Sequence, residues 1–396
     1  MASRKSTEAE SSSPRYRQIY NQLRLTLANR EYVPGDKLPS ENELVEQFGA
    51  SRPTIGRALA QLENEGLVER RPGSGTFVRA HNRPEGFVFG LLIPGLGTTE
   101  IFEPICRGIS IARVGGHHDL LWGTTISPGA SEEDQAEQLC DYYLRRRVSG
   151  VFFAPMELTG RKDEINQRIT RAMDEAQIPT ILLDRDICEY PKRSRYDLIG
   201  IDNRRAGFVI TEHLLQCGAQ RIAFWGRPNS APTVNARSLG YREALSCQPD
   251  LHLQEHIEIG DPTDLSKVGG LLSQFRPDGV VCANDYTAAQ FMTSLNTLGI
   301  RVPEDVRVTG MDDIRYASVL QTPLTTIHQP CLELGAAALA AMLDRISHPN
   351  MPVRDCLVDF QLVIRKSTDP NYANSPQTVD QRNEHEISET KVPIAQ

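Results

Sequence analysis

The feature that most constrains this chain is a pair of capped helices followed by a basic hairpin, all within residues 38–78. Ser40 followed by Glu43 is a capping box, in which the hydroxyl and the carboxylate each take an unpaired N–H at the start of a helix. Gly49 permits the left-handed conformation that ends this helix, and Ser51 can cap a second one. The spacing predicts a tight helix-turn-helix.

The second predicted helix has one apolar face and one polar face. Its apolar residues recur at the i, i+3, i+4, i+7 spacing of a buried stripe, namely Ile55, Ala58, Leu59 and Leu62. The same spacing turns four polar residues outward, namely Ser51, Arg52, Thr54 and Arg57. A helix presented in this way can enter the major groove of double-stranded DNA with its N-terminus first.

A basic hairpin follows the second helix. Gly66 ends the helix, and residues 67–78 are predicted to form two short strands around a glycine-rich turn. Arg71 lies at the base of this turn, and Gly73 and Ser74 form its tip, so these three residues are candidate DNA contacts. The alternative is that the arginines only solvate an exposed face. The agreement of caps, periodicity and wing favours a DNA-binding winged helix-turn-helix.

The block resembles the GntR family of bacterial transcription regulators in the runs LPSENEL, SRPTI, LVERR and PGSGTFV. The DNA contacts that this resemblance implies fall on Ser51, Arg52, Thr54 and Gly73. One departure is Gly56, since the family commonly has arginine directly after the Ser-Arg-x-Thr-Ile run. In this chain Arg57 follows one position later.

The charge distribution fits a DNA-binding head on an acidic body. The 396-residue chain is longer than one ordinary domain and has a formal net charge of −8. Residues 1–80 contain 12 lysines and arginines against 10 aspartates and glutamates, whereas the remainder contains 31 against 41. A positive head and a negative body are typical of a protein that approaches DNA at one end.

Composition also predicts the compartment. No apolar run approaches the roughly 20 residues of a membrane span, and the polar N-terminus lacks the apolar core of a secretion signal. A cytoplasmic protein with no membrane partner is therefore expected. The eight cysteines form no C-x-x-C pair, which predicts reduced, structural thiols.

Five segments are predicted along the chain. They are a polar, disordered tail at 1–13, a winged helix-turn-helix domain at 14–79, a linker at 80–86, a two-lobed domain at 87–366 and a second disordered tail at 367–396. Within the second segment, apolar residues at helical spacing predict a first helix that packs on the helix-turn-helix, namely Tyr16, Ile19, Tyr20, Leu23 and Leu27.

From Phe87 onward, short apolar runs alternate with amphipathic segments. Representative strand runs are FVFGLLIP, GVFFAP, PTILLD, RIAFWG and DGVVCAND. This alternation predicts an α/β fold with parallel sheets and helices on both faces, arranged as two lobes with a ligand site between the strand ends. The run CLVDFQLVIR at 356–365 predicts one last strand.

The body resembles the ligand-binding domain of the LacI family, itself similar to periplasmic sugar-binding proteins, in the runs ARSLGYREAL, PDGVVCANDYTA, LGIRVPEDVRVTGMDD and TPLTTIHQP. A GntR head on a LacI body is the arrangement of the arabinose-repressor subfamily. The effector contacts that this resemblance implies fall on Asp184, Arg237, Asn284, Asp312 and Gln329. The loop after the first strand lacks the family's Asn-Pro-Phe-Phe sequence, and Phe102 is expected to supply an aromatic platform under a sugar ring.

The chemistry of these residue types agrees with a carbohydrate effector. Sugar hydroxyls donate and accept in pairs, which Asp, Asn and the forked Arg match. Each residue also has a structural alternative. Asp184, Asp312 and Asn284 can cap a helix or turn, with Asp285 the better cap beside Asn284, and Arg237 can form a surface ion pair. Asn203, in the run GIDN, is interpreted as structural.

No motif demands catalysis, so no catalytic residue, metal ligand or cofactor is predicted. Gly95-Leu-Gly97 follows a strand but lacks the third glycine of a dinucleotide fingerprint. His252-Leu-Gln-Glu255-His256 matches an inverted zinc-protease pattern, yet the surrounding residues predict extended structure and a surface pair.

Two hypotheses of different class follow. The favoured one is a transcription repressor that acts as a homodimer on an operator and is controlled by a sugar bound between the lobes. The alternative is a GntR head fused to an enzymatic, aminotransferase-like body, which would need a lysine for pyridoxal phosphate. The LacI-like runs disfavour the enzyme.

Overall fold

The structure, a computed structural model, describes residues 35–64, 67–71, 74–78, 86–96, 101–112, 118–123, 130–248 and 254–369, and positions 16, 19, 20, 22, 23, 26, 32 and 372. The chain divides into two compact units, Met1–Gly86 and Phe87–Gln396. Five positions named above lie outside the described residues: Leu27, Gly66, Gly73, Gly97 and His252.

The smaller unit contains the predicted helix pair and hairpin. Its elements are α1 (Glu41–Phe48), α2 (Arg52–Asn64), β1 (Val68–Arg71) and β2 (Gly75–Val78). The capping box is present, because Ser40 N donates to Glu43 Oε2 at 2.7 Å and Glu43 N donates to Ser40 Oγ at 3.3 Å. Gly49 ends α1 with φ 55°. The two strands pair antiparallel, which makes the wing.

The apolar stripe of α2 forms the core of this unit. Its four predicted members, Ile55, Ala58, Leu59 and Leu62, have no exposed surface. They pack with Leu44 of α1 and with Ile19, Tyr20 and Leu23 of the preceding helical segment. The periodicity in the sequence therefore identified the buried face of the recognition helix correctly.

The larger unit alternates strands and helices. In chain order they are β3 (Phe87–Leu92), α3 (Phe102–Ile111), β4 (His118–Trp122), α4 (Glu132–Arg146), β5 (Gly150–Phe153), α5 (Lys162–Glu175), β6 (Thr180–Leu183), β7 (Asp197–Gly200), α6 (Asn203–Gln216), β8 (Ile222–Gly226), α7 (Pro232–Ser246), β9 (Ile257–Ile259), α8 (Leu265–Gln274), β10 (Gly279–Cys282), α9 (Asp285–Thr297), β11 (Arg307–Thr309), a 3₁₀ turn (Arg315–Ser318), β12 (Thr326–His328), α10 (Cys331–Ser347), β13 (Asp355–Leu357) and β14 (Gln361–Val363).

Two parallel sheets define two lobes. The first lobe has the strand order β13-β7-β6-β5-β3-β4, and the second has the order β11-β10-β8-β9. All neighbouring strands in both sheets are parallel. Their strands are buried apolar runs, as expected for sheets covered on both faces. The predicted α/β class is confirmed.

The last predicted strand is wrong in one respect. The run at 356–365 is divided into two strands, because the chain leaves one sheet and joins another. β13 pairs parallel with β7 in the first lobe, whereas β14 pairs antiparallel with β12 beside the second lobe. Apolar periodicity continues through the crossover at Val358 to Phe360, so the pattern alone did not show the break.

Among the described residues, no helix combines the length and the apolar character that crossing a bilayer requires. The eight cysteine side chains are all unpaired thiols.

Candidate functional site

A polar cavity of about 370 Å³ lies between the two lobes of the body. It opens where the carboxyl ends of the parallel strands meet, the usual place for a ligand in open α/β sheets. Five of the six predicted effector-binding residues line it: Phe102, Asp184, Arg237, Asn284 and Asp312. Further polar or aromatic lining residues escaped the sequence reasoning: Glu132, Glu157, Arg185, Arg227, Tyr286 and Tyr316.

Asp184 and Asp312 extend from the ends of β6 and β11, one strand from each lobe. Both have positive φ, 67° and 112°, which few non-glycine residues adopt and which concentrates at functional sites. Gln329, the sixth predicted residue, is buried beside the cavity. Its Nε2 donates to Asp312 Oδ1 at 2.7 Å. Gln329 thus positions the Asp312 carboxylate.

Arg237 is held in a close crossing of two helices, α6 and α7. Gly207 of α6 faces it, and a Cβ there would overlap the Arg237 carbonyl oxygen. The guanidinium is oriented by three acceptors: Nε donates to Asn203 Oδ1 at 2.8 Å, Nη1 donates to Ala283 O at 2.7 Å, and Nη2 lies 3.6 Å from Asp312 Oδ1. Arg237 is buried, so the surface ion-pair alternative does not apply.

Arg185, which is buried, and Glu157, whose side chain is 21% exposed, form an ion pair that the sequence reasoning missed. The Arg185 guanidinium also lies 3.4 Å from Asp184 Oδ2 and 5.3 Å above the Phe102 ring centroid. Phe102 is therefore covered on one face by a cation. The available signal was the Asp-Arg dipeptide at the end of a strand predicted to reach the cavity.

Asn284 and Asp285 differ from their predicted roles, because the helix cap is Asn284 and Asp285 is buried. Asn284, not Asp285, caps α9, because its Oδ1 accepts from Thr287 N at 2.9 Å. Asp285 is fully buried and accepts from Thr326 Oγ1 at 2.6 Å and Ile314 N at 3.0 Å. The cap was misassigned because both residue types favour that position. Asn284 nevertheless lines the cavity while it caps the helix.

Burial opposes the ionisation of the cavity carboxylates, and nearby arginines favour it. Desolvation raises the pKa of Asp184, although Arg185 and Arg237 oppose it. Desolvation also raises the pKa of Asp312 to about 6, against the attraction of Arg237. Glu157 differs: burial opposes its ionisation, but the charge and hydrogen bond of Arg185 outweigh burial and hold its pKa below the usual value.

Several buried polar atoms at the cavity have no hydrogen-bond partner within the described part of the chain: Asp184 Oδ1, Arg185 Nε and Gln329 Oε1. Buried polar groups are normally satisfied, because leaving one unpaired costs about 1–3 kcal/mol. Of these, Asp184 Oδ1 and Arg185 Nε belong to residues that line the cavity, so one acceptor and one donor can face a polar ligand there.

The two lobes also touch directly at the cavity mouth. Leu158 N donates to Asn229 O at 2.7 Å, and Ala231 N donates to Glu157 Oε2 at 3.1 Å. Lys162 Nζ donates to Ser230 O at 2.8 Å. These contacts join the loop after β5 to the loop before α7, so the described arrangement of the lobes is a closed one.

On the smaller unit, Glu41 pairs with two arginines. Arg52 Nε lies 3.3 Å from Glu41 Oε2, and Arg70 of β1 pairs with the other carboxylate oxygen. Arg52, at the start of α2, remains exposed, as the DNA-contact prediction requires. Glu41 thus fixes the positions of Arg52 and of a wing arginine relative to each other.

The other predicted DNA contacts are placed as follows. The Ser51 and Thr54 hydroxyls are hydrogen-bonded at 2.8 Å at the start of α2. The Arg57 guanidinium lies 4.3 Å from the Tyr16 ring centroid, and Arg71 lies 4.9 Å from that of Phe77. Ser74 is exposed at the wing tip. Gly73 is outside the described residues.

No group of three or more His, Cys, Asp or Glu side chains in the described ranges is arranged to hold a metal ion. In the zinc-protease-like run, Glu255 accepts from Arg242 Nε at 3.0 Å, and the His256 ring stacks on Phe275.

A winged helix-turn-helix and a two-lobed α/β body with a polar interlobe cavity define a class of transcription regulators. Sequence comparison agrees. The model of the bacterial regulatory proteins of the gntR family matches residues 15–78, and that of the periplasmic binding protein-like domain matches residues 211–368.

Individual relatives cover most of the chain. The arabinose metabolism transcriptional repressor of Geobacillus stearothermophilus is 26% identical over 91% of this chain and 99% of its own length. The transcriptional repressor PurR of Haemophilus influenzae is 31% identical over 60% of this chain and 69% of its own. The solved LacI family transcriptional regulator from Enterococcus faecium with bound ribose is 25% identical, with TM-score 0.57 over 72% of this chain and 99% of that one.

The chain belongs to the transcriptional regulators that join a GntR-family winged helix to a periplasmic-binding-protein-like, LacI-type domain. The resemblance inferred from the sequence is confirmed. The matched relatives are regulators, not enzymes, and the body does not correspond to the aminotransferase-like alternative.

Proposed function

We propose that this protein is a repressor whose affinity for a DNA operator is controlled by a sugar or sugar-derived effector bound in the interlobe cavity. The observation that carries the proposal is the convergence of Asp184, Arg237, Asn284 and Asp312 on one cavity between the lobes. Its volume of about 370 Å³ falls at the lower end of small-molecule sites, which supports a ligand the size of a monosaccharide.

The unpaired atoms of the cavity suit a polyhydroxylated ligand. A sugar hydroxyl donates one hydrogen bond and accepts others. Asp184 Oδ1 is an acceptor for such hydroxyls, and Arg185 Nε is a donor. Tyr286 adds an aromatic surface at the wall. The solved relative with bound ribose and the arabinose repressor support a sugar as the ligand class.

The winged helix supports an operator contact by α2 in the major groove. Ser51 directly precedes α2, Arg52, Thr54 and Arg57 belong to its N-terminal half, and Arg71, Gly73 and Ser74 belong to the predicted wing. A regulator of this architecture reads a near-palindromic operator as a homodimer, since two-fold symmetry of the protein requires two half-sites. Binding to chromosomal DNA supports a cytoplasmic location.

Lobe closure supplies the coupling between the two activities. A ligand shifts an equilibrium only by its different affinity for the two states. An effector that contacts Asp184 in one lobe and Arg237 in the other binds the closed form better than an open form. Its binding then changes DNA affinity if the closed form holds the DNA-binding units of the dimer differently.

Fluorescence anisotropy of labelled DNA from upstream of the protein's own gene tests the proposal. Protein is titrated at two salt concentrations, and the complex is then challenged with pools of pentoses, hexoses and their phosphates. Tight, salt-sensitive binding that one pool changes is the expected result. Tight binding that no pool alters would refute the sugar assignment, and the absence of specific binding would refute the operator assignment.

A further inference from the structure

We propose that the cavity selects a neutral sugar over sugar phosphates and sugar acids, and that Glu157 is the residue that sets this preference. The inference rests on the proposed function, because it specifies the chemical class of the same ligand. It follows from the contacts of one ion pair and from the charges that surround it.

Arg185 is the group that would otherwise attract an anion. It lines the cavity, its side chain is 6% exposed, and its guanidinium lies against Phe102. A buried guanidinium beside a small-molecule cavity is a strong site for phosphate or carboxylate. In this protein, however, Glu157 forms an ion pair with it from the same wall. The charge of Arg185 is neutralised before a ligand arrives.

The other charged residues that line the cavity do not give it a net positive charge. Arg237 is matched by Asp312, whose Oδ1 lies 3.6 Å from its Nη2. Arg227 lies 5.9 Å from the Tyr286 ring centroid. Among the described lining residues, four carboxylates (Glu132, Glu157, Asp184 and Asp312) face three guanidiniums (Arg185, Arg227 and Arg237). An incoming phosphate would meet a formal excess of negative charge.

Two of the carboxylates already resist ionisation where they lie. Burial raises the pKa of both Asp184 and Asp312, because this desolvated space penalises a charged group, and an anionic ligand would meet the same penalty. A hydroxyl that donates to Asp184 Oδ1 satisfies that oxygen, whereas an anionic oxygen at the same place would repel it. Desolvation of the cavity and repulsion by Asp184 therefore both favour a neutral ligand.

Glu157 can be altered without loss of its structural contact. Its Oε2 accepts from Ala231 N across the mouth, and the carbonyl oxygen of a glutamine can accept the same hydrogen bond. Glu157→Gln therefore removes one of the two carboxylate charges that pair with Arg185, the other being Asp184, while the contact between lobes is kept. Glu189→Gln is a matched control, because Glu189 accepts from Asn235 across the same mouth but does not line the cavity.

The test measures ligand binding to the full-length protein by isothermal titration calorimetry. The probes are L-arabinose, D-ribose and D-xylose, their 5-phosphates, and the corresponding aldonic acids. Wild type and Glu189→Gln are expected to bind a neutral sugar at least about 100-fold more tightly than its phosphate or acid. In folded Glu157→Gln protein this ratio is expected to shrink by about 10-fold or more.

The double variant Glu157→Gln/Arg185→Gln is expected to lose the additional affinity for anions that Glu157→Gln shows, because the positive charge of Arg185 is no longer present. Tighter binding of a phosphate or acid than of the neutral sugar by wild type would overturn the inference and leave the proposed function standing. An unchanged ratio in folded Glu157→Gln would overturn the role of Glu157. If no probe of either kind bound wild type, the inference would fall, and the proposed function would depend on the hexose pools of the anisotropy assay.

Discussion

Arg237 is oriented by Asn203, whose Oδ1 accepts from Arg237 Nε over 2.8 Å in the buried crossing of α6 and α7. Asn203 is not among the described residues that line the cavity, so it acts on a ligand through Arg237. Its amide also donates to Ile201 O at 3.2 Å, which fixes the direction of the side chain. These contacts agree with the interpretation of Asn203 as structural, and the residue that it supports lines the cavity.

Asn203→Ala is expected to weaken effector binding by about 10-fold, or about 1.4 kcal/mol, because Arg237 Nε loses its buried acceptor. Calorimetric titration with the sugar identified by the anisotropy assay measures this loss. DNA affinity without effector should stay the same. Asn296→Ala, at an exposed position of α9, is the control and should bind as wild type does. Wild-type affinity in Asn203→Ala would show that Arg237 needs no such support.

The sequence predicted the cavity residues that lie directly after strands better than those that act through a partner. Asp184 and Asp312 were predicted from the resemblance to the LacI-family ligand-binding domain, and their places after strands agree with the usual ligand site of an α/β sheet. Glu157 and Arg185 were missed because their pairing depends on the spacing of β5 and β6, which no local pattern encodes. The division of the last strand was missed for the same reason: apolar periodicity specifies burial but not the sheet that receives the strand.

Arg52→Ala is expected to weaken operator binding by about 1–3 kcal/mol, because Arg52 is exposed at the N-terminus of the recognition helix. Anisotropy at two salt concentrations measures the change. Arg301→Ala is the control, since it removes one exposed arginine from the body, where Arg301 pairs locally with Asp305. Tight, unchanged operator binding by Arg52→Ala would refute the placement of α2 in the major groove.

Effector affinity is expected to fall as the pH is lowered from 7.5 to 5.5. The pKa of Asp312 is raised to about 6, chiefly by burial, so the group is ionised above this pH and protonated below it. Ligand hydroxyls donate more strongly to the carboxylate, and protonation therefore weakens binding. Calorimetry at both pH values measures the effect.

Asp312→Asn separates this effect from other groups around the cavity. The charged neighbours that act on Asp312 are Arg237, Asp184 and Glu157. The variant should bind more weakly at pH 7.5 but with little further change at pH 5.5. The free energy of unfolding of the wild-type protein should rise, not fall, as the pH is lowered. A group whose pKa is raised in the folded state stabilises the fold most below its unfolded pKa of about 3.9, and this contribution is lost as the pH rises through 6. An undiminished pH dependence in Asp312→Asn would assign the titration to Asp184 instead.

Gly240→Ala is expected to destabilise the body by about 1–3 kcal/mol, because α6 and α7 approach too closely at this position to admit a methyl group. A Cβ at Gly240 would overlap the Arg204 carbonyl oxygen and lie 2.6 Å from Phe208 N. Gly269→Ala in α8 is the matched control: its Cβ would meet no atom within 4 Å, so it should stabilise the helix by up to about 1 kcal/mol.

The close crossing of α6 and α7 should also set the position of Arg237. Denaturant unfolding of both glycine variants and calorimetric titration with the effector measure this. The methyl group at Gly240 would push α7 away from α6, and Arg237 lies on α7 while its acceptor Asn203 lies on α6. Stability and effector affinity should therefore fall together in Gly240→Ala, whereas Gly269→Ala should leave affinity unchanged. A Gly240→Ala protein that loses stability but binds effector normally would show that the crossing holds the fold without setting the position of Arg237.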